Sequence, residues 1–503
     1  MYNNKPGSPP PHPKPEIEHA AELSLKSLKE IFASCADFES RGVDYGLDGK
    51  LRIQICWLDG IVSGGDLGED ILRPLTQAGR AGEPVTEEEC MERIISGAVY
   101  SYSVKKRDTL DDVVSDLTHG HCALIFEGIH QALCFEIRSS QVRGINEPSL
   151  EKSLKGAKDS FVETLRVNTA LVRRRICSPK LKLIQSSVGR KSNTTVAIMF
   201  IDGVAAPDTV EELARRLDAL DIDALLSTGA LEDYIVDAPN SPFPQLIHTE
   251  RPDRFAMYLA DGRVGLLVDG LPVGLLLPVT FAEFMKVTSD SNTNFIVSSF
   301  LTVLRYFALM LGLFLPAAYV AVAMYHQEMI PTKMLLSIIE AKQNVPFSTG
   351  IEIIGMLIAF MLLQEAGLRL PNPIGDTVSI IGALIVGQSA VEAQVVSPIA
   401  IIVVATAGIA CYTLPSQDMG SAVRLVQMSM LLAAIAAGLF GMAALSCLIL
   451  LKLADMDSFG VNYTAPVTGS QPWGLARLLL QLPKPMRKYR DALLRTPDRR
   501  RQQ

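Results

Sequence analysis

The chain has 503 residues, 48% of them hydrophobic and only 20% charged, and its mean hydropathy of +0.24 is high for a water-soluble enzyme. A formal net charge of −7, with no concentrated basic face ahead of the hydrophobic part, argues against a nucleic-acid binder. The eight cysteines (35, 56, 90, 122, 134, 177, 411 and 447) contain no CxxC, which argues against a disulfide framework and fits a reduced, cytoplasmic location for the polar part.

Residues 1–27 form a Pro-rich polar tail that lacks the charged-then-apolar pattern of a signal peptide and is expected to be disordered. A short apolar run ending in an acidic residue, Gly and an aliphatic residue then recurs four times. The copies end at Asp59-Gly60-Ile61, Glu127-Gly128-Ile129, Asp202-Gly203-Val204 and Asp269-Gly270-Leu271. This pattern predicts strands closed by turns, because Gly accepts positive φ and Asp bonds its own backbone. Helical stretches follow the first and third copies, at Gly68–Gln77 and Asp208–Leu220, with Asp208 as N-cap. Two α/β subdomains of similar plan are expected, over 28–145 and 190–290. Residues 146–189 read as a helical linker, one helix pair or a bridge, opening at Pro148.

Chemistry is sparse in this region. Four acidic-Gly pairs at strand ends fit turns better than catalytic carboxylates. His119, His121 and Cys122 have metal-capable side chains, but they stand at a strand start without a second ligand pair. Ser187–Ser192 (SVGRKS) lacks the glycine spacing of a phosphate loop. No catalytic, cofactor-binding or metal-binding set is expected, and the enzyme reading is weak.

From Ile296 to Leu453 the chain is almost uncharged. The run Phe300–Met324 has one charge, Arg305, and at ~1.5 Å per residue it is long enough to cross a ~30 Å hydrocarbon core. The amphipathic Lys333–Gln343 is expected at the interface. Thr349–Leu363 is apolar apart from Glu352, Thr377–Val396 and Ile399–Leu414 form a hairpin split at Ser397-Pro398, and Leu425–Leu451 can cross with tilt. The predicted class is an α/β soluble N-terminal region of two similar subdomains followed by an all-α multi-pass membrane domain (291–455) and a basic tail (456–503). An Arg-rich tail is expected on the cytoplasmic side, which requires an even number of crossings, whereas five apolar segments are visible. Within the third segment, Ser389 and Glu392 lie three apart on one helical face that Ile385, Gly382 and Ser379 roughly continue, with the polar Gln388 beside Ser389 in the chain. Such a face lines a water path, packs closely against other helices, or forms a substrate site within one subunit.

Several long stretches resemble one family in order: 142–175, 241–255, 307–332, 369–388 and 458–466, the last reading SFGVNYTAP. Together they make the chain similar to the A subunits of GerA-type spore germination receptors. The resemblance implies a multi-pass protein of the spore inner membrane with its N-terminal domain and tail cytoplasmic. It implies a transporter-like B subunit, which senses the nutrient, and a lipoprotein C subunit as partners. It further implies a homo-oligomer, a pentamer, around a germinant-gated cation pore. The six residues above are then the expected pore lining, and no nucleic acid, cofactor or metal is implied. The rival expectation is a non-conducting scaffold that assembles B and C subunits and relays the signal to another channel. The sequence departs from the family pattern at Asp290–Asn294 and at Glu392, where a Gln is expected.

Overall fold

The structure is a computed structural model and describes residues 22–45, 51–78, 86–99, 103–139, 148, 151, 156–287, 290, 292–369, 387–468 and 478–501. The first half carries two five-stranded antiparallel sheets. Strands β1 (Phe38–Tyr45), β2 (Leu51–Leu58), β3 (Val104–Arg107), β4 (His121–Phe126) and β5 (Gln131–Glu136) lie in the order β1-β2-β4-β5-β3. Strands β6 (Leu181–Val188), β7 (Thr194–Ile201), β8 (Ile247–Thr249), β9 (Val264–Val268) and β10 (Gly274–Leu277) lie in the order β6-β7-β9-β10-β8. The two orders are the same, so the repeated strand endings reflect a repeated topology. Strand β9 and, apart from His121, β4 are apolar, and both are buried at every residue, as central strands covered on both faces require.

Each acidic-Gly pair does close a strand, but the backbone strain is not always at the glycine. Gly60, Gly203 and Gly270 have φ of +85°, +75° and +83°; in the β4–β5 turn the left-handed residue is His130, at +52°. Two of the aspartates also grip the segment between the sheets. That segment holds one described helix, Leu165–Arg173, rather than a helix pair. Asp269 Oδ1 accepts from Leu165 N at 3.0 Å, and Asp59 Oδ1 lies 2.5 Å from Arg166 Nη2. At the helix end, the buried Arg173 makes a two-pronged pair with the buried Asp37 (2.5 and 2.7 Å) and donates to Leu181 O. The helix is thus held by both halves. The second half starts at β6, earlier than the expected boundary at 190, because Leu181–Val188 pairs along its length with β7. The helix after β7 spans Pro207–Asp218, with Ala206 at the N-cap and Pro207 in its first turn. Asp208 therefore lies inside the first turn, where its charge suits the helix dipole, and is not the cap. The other expected helical stretch is present, from Gly64 to Ala78, with a wide π turn over Leu67–Leu72. All eight cysteines are free thiols.

The second half of the chain is helical: α1 (Phe295–Tyr325), α2 (Thr332–Lys342), α3 (Thr349–Arg369), α4 (Pro398–Tyr412) and α5 (Gln417–Asp455). Three of these, α1, α3 and α5, are long and apolar enough to cross a membrane. Residues Ala437 and Gly438 break α5, Gly438 with φ +58° and ψ −139°. A straight helix would put Met430 and Ser446 ~24 Å apart; Ser446 Oγ is 3.9 Å from Met430 Sδ. The segment therefore reverses, with arms 417–436 and 439–455 side by side. Its tip meets the end of α1, where Tyr325 Oη donates to Ile435 O. This corrects the reading of the last apolar segment as a single crossing.

The reversal adds a return passage to the helical layer. α1 leaves the face under the sheets and reaches the far face at Tyr325. Gly350 packs beside Met324 and Ile435 there, and α3 returns until Gln364 meets Arg424. Ser397 lies at the far face, bonded to Glu352, and α4 with the following turn comes back to Asp418 beside His248. The two arms of α5 go out and return to Leu453, so the described residues show five passages: α1 and the first arm of α5 outward, and α3, α4 and the second arm returning. Oxidant-free cross-linking checks the reversal. In a Cys447→Ser background, a Met430→Cys, Ser446→Cys pair is expected to link with a short bis-methanethiosulfonate, each thiol displacing one sulfinate, and a straight α5 would leave it unlinked.

Candidate functional site in the helical layer

Ser379, Gly382 and Ile385 lie outside the described residues. Gln388, Ser389 and Glu392 sit on the described helical residues 387–392, and all three are exposed in the single chain. Ser389 and Glu392 share a face, as i, i+3 spacing requires. The helix ends in a turn with Gln394 at φ +56°, after which Val396 and Ser397 are buried.

What anchors that segment is a residue sequence reasoning passed over as an exception in an apolar run. Glu352, in the first turn of α3, has a fully buried side chain. Its Oε1 accepts from Ser397 N, and its Oε2 lies 3.4 Å from Lys342 Nζ. Lys342 also donates to Thr349 Oγ1. Ser397 in turn caps α4, its Oγ accepting from Ala400 N at 3.3 Å. One carboxylate therefore joins α2, α3 and the start of α4, with Val320, Ile353, Leu357, Val396 and Ala400 packed around it. The signal was present: an ionisable residue in a membrane-level helix is costly without a partner, so it marks a specific contact. Removing one member of such a buried pair leaves the other charge stranded. Glu352→Ala is expected to lower the stability of the helical layer by about 3–5 kcal/mol, read from thermal unfolding in detergent, while Ser337→Ala on exposed α2 surface leaves it unchanged.

The sheets meet the helices at a second polar contact. His248, on β8, lies between Glu232 (Nε2 to Oε2, 3.1 Å) and Asp418 (Nδ1 to Oδ2, 3.5 Å) in the first turn of α5. Burial by itself would lower the imidazole pKa; Glu232 and then Asp418 outweigh it and hold His248 above its ordinary value. The contact walls a cavity of about 330 Å³ that also takes in Glu151, Arg251, Arg254 and Lys286. Those cations are paired with Glu151, Asp253 and Glu283, so the cavity is a mixed-charge junction. A raised folded-state pKa stabilises below the unfolded value and is lost as pH rises through the folded one. His248→Gln is therefore expected to cost thermal stability at about pH 6 and little at about pH 8, measured as melting temperature across that range.

The remaining sequence candidates are structural. His121 opens β4 beside Asp116 O (3.1 Å) and Lys105, and burial, opposed by Asp116, keeps its pKa below the ordinary value. Among the described residues, no group of three His, Cys, Asp or Glu side chains is placed to hold a metal. Ser187–Ser192 is the β6–β7 turn, where Arg190 pairs with Asp221 and Lys191 with Asp223 at 2.8 Å.

Comparison with known proteins adds a family. The family model described as Bacillus/Clostridium GerA spore germination protein matches residues 26–493. Spore germination protein KA of Bacillus subtilis (strain 168) is 32% identical over 467 residues, covering 93% of this chain and 85% of the relative. Spore germination protein B1 of the same organism is 31% identical, covering 94% and 97%. An uncharacterized membrane protein, YfkQ, also from that organism, is 35% identical, covering 88% and 85%. The crystal structure of the N-terminal domain of the A subunit of the Bacillus megaterium spore germinant receptor GerK3 is 30% identical. It covers 52% of this chain and 99% of that one, with a TM-score of 0.41.

Proposed function

The chain belongs to the Bacillus/Clostridium GerA spore germination protein family, and on that premise we propose that it is the A subunit of a nutrient-responsive germination receptor that oligomerises into a germinant-gated cation channel. It acts in the spore inner membrane, with both sheets and the tail cytoplasmic, beside a transporter-like B subunit and a lipoprotein C subunit. The observation that carries the channel reading is the exposure of Gln388, Ser389 and Glu392 on one short segment of the helical layer. Polar side chains there need water or a partner, and a ring of identical subunits would supply both around a shared axis. Ser379, Gly382 and Ile385 extend the proposed lining. Nutrient binding on the partner subunit would bias a two-state pore rather than act on this chain directly. The return of the second arm of α5 to Leu453, in the core below the second sheet, supports a common side for both.

Cation flux in vesicles holding the chain with its B and C partners tests the proposal. Flux is expected on adding the cognate nutrient, and Glu392→Gln is expected to reduce the preference for cations over anions. Nutrient binding with no flux, in vesicles shown to contain the whole complex, would instead support the non-conducting scaffold. Flux with unchanged selectivity in Glu392→Gln would remove Glu392 from the lining.

A further inference from the structure

We propose that residues 480–489 of the C-terminal tail form a membrane-surface anchor that binds anionic lipid headgroups. Depth is the first argument. α1 has 31 residues and is ~46 Å long, so a ~30 Å hydrocarbon core measured back from Tyr325 ends near Arg305. Arg305 pairs there with Asp290 (2.5 and 2.9 Å). Ser299, some ~9 Å further out, is at headgroup depth. Gln481 N donates to Ser299 Oγ at 2.9 Å, which ties the tail to that level.

The tail's side chains fit a bilayer surface. Leu480, Leu482, Met486 and Tyr489 are exposed, Met486 by 65% and Tyr489 by 74%. Leu480 and Leu482 flank Gln481, whose amide bonds Ser299 on α1, and Phe295, Ile296 and Phe300 are exposed on that end of the helix, so exposed apolar residues of helix and tail meet at this contact. Beyond this point the chain is fastened to the second sheet unit: Arg490 donates to Ala260 O (3.0 Å) and Arg501 pairs with Asp261 (2.9 Å). The apolar strip is therefore held at both ends and cannot simply drift into bulk water.

Charge selects the lipid. Arg487 is half-buried and, among the described residues, donates to neutral oxygens, Leu482 O at 3.0 Å and Gln481 Oε1 at 3.2 Å. It opens on a cavity of about 110 Å³ whose three carboxylates are taken: Asp261 by Arg501, Glu283 by Arg263 and Lys286, Asp290 by Arg305. Burial first, and then the Arg501 charge, push the Arg487 pKa below the ordinary guanidinium value, and an added anion would counter the Arg501 repulsion. Lys488 is exposed beside it. Basic side chains flanking an apolar strip at headgroup depth meet phosphate oxygens on one side and acyl chains on the other.

The test uses the full chain in lipid nanodiscs, with Cys177 and Cys447 replaced by serine and Met486→Cys carrying a fluorescent label. In discs of phosphatidylcholine with phosphatidylglycerol, the label is expected to be quenched by lipids brominated near the headgroup and shielded from iodide. Shielding should weaken in phosphatidylcholine alone. Arg487→Gln and Lys488→Gln are each expected to reduce the phosphatidylglycerol effect about fivefold; Lys488 is exposed, so its variant separates lipid binding from misfolding. A label equally open to iodide in both discs would overturn the anchor. Shielding that persists in lipid-free detergent would assign the surface to protein contact, and shielding restored by inorganic phosphate in phosphatidylcholine discs would assign it to a free anion.

Discussion

A single apolar core runs from the underside of the second sheet into the helical layer, and it exists because the last hydrophobic segment turns back at Gly438. Once the arms of α5 are antiparallel, Met419, Ala422, Val423 and Val426 of the first arm and Leu453 of the second meet Phe284 and Met285 below the sheet. Leu309 of α1 and Cys411 of α4 complete the contact. The segment that follows is drawn into the same core: Tyr463 is fully buried, its Oη donates to Pro244 O at 2.8 Å, and its carbonyl accepts from Phe281 N. A backbone of φ +58°, ψ −139° is close to glycine-only territory. The side-chain-free Gly438 also leaves room for Tyr325 and His326, which a Cβ would meet at 3.1 Å.

Charge is handled in the layer by pairing it before it is buried. Arg305 is met by Asp290, Glu352 by Lys342 and the Ser397 amide, and Arg424 by Gln364 and Ser421. Each contact also joins two or three chain segments, so the requirement to satisfy a buried charge becomes a means of fixing helix positions. Close approach does the rest. A Cβ at Gly408 would strike the Phe360 ring, and Gln427 reaches Gly312 O at 2.5 Å across the α1–α5 contact. The sheets are therefore coupled to the helices by packing, while His248 adds a contact whose strength follows pH.

Much of the soluble half was legible. The acidic-Gly pairs marked the ends of β2, β4, β7 and β9, and the matching halves were visible because each strand ending is local. What escaped was the second use of those aspartates. That Asp59 and Asp269 grip the same helix depends on two sheets being brought together, and no local pattern carries that. Asp208 was misread for a related reason: Pro207 starts the helix one position earlier, and either residue suits a first turn. The candidate site was legible in part. Gln388, Ser389 and Glu392 stood out as polar residues in an apolar run, but Glu352, which anchors their segment, looked like a single exception in another run.

By itself the sequence determined that this is a two-part molecule, charged α/β units followed by membrane-length apolar helices, because hydropathy and periodicity are summed residue by residue. It also carried the family, whose stretches are long and ordered. Only the tertiary structure decided that the last apolar segment folds back on itself rather than running straight. The 27-residue run from Leu425 to Leu451, apolar but for Gln427, Ser429 and Ser446, has the same composition straight or folded in two. The difference lies in one glycine's dihedral angles and in which partners the two arms find, and those are properties of the packed molecule.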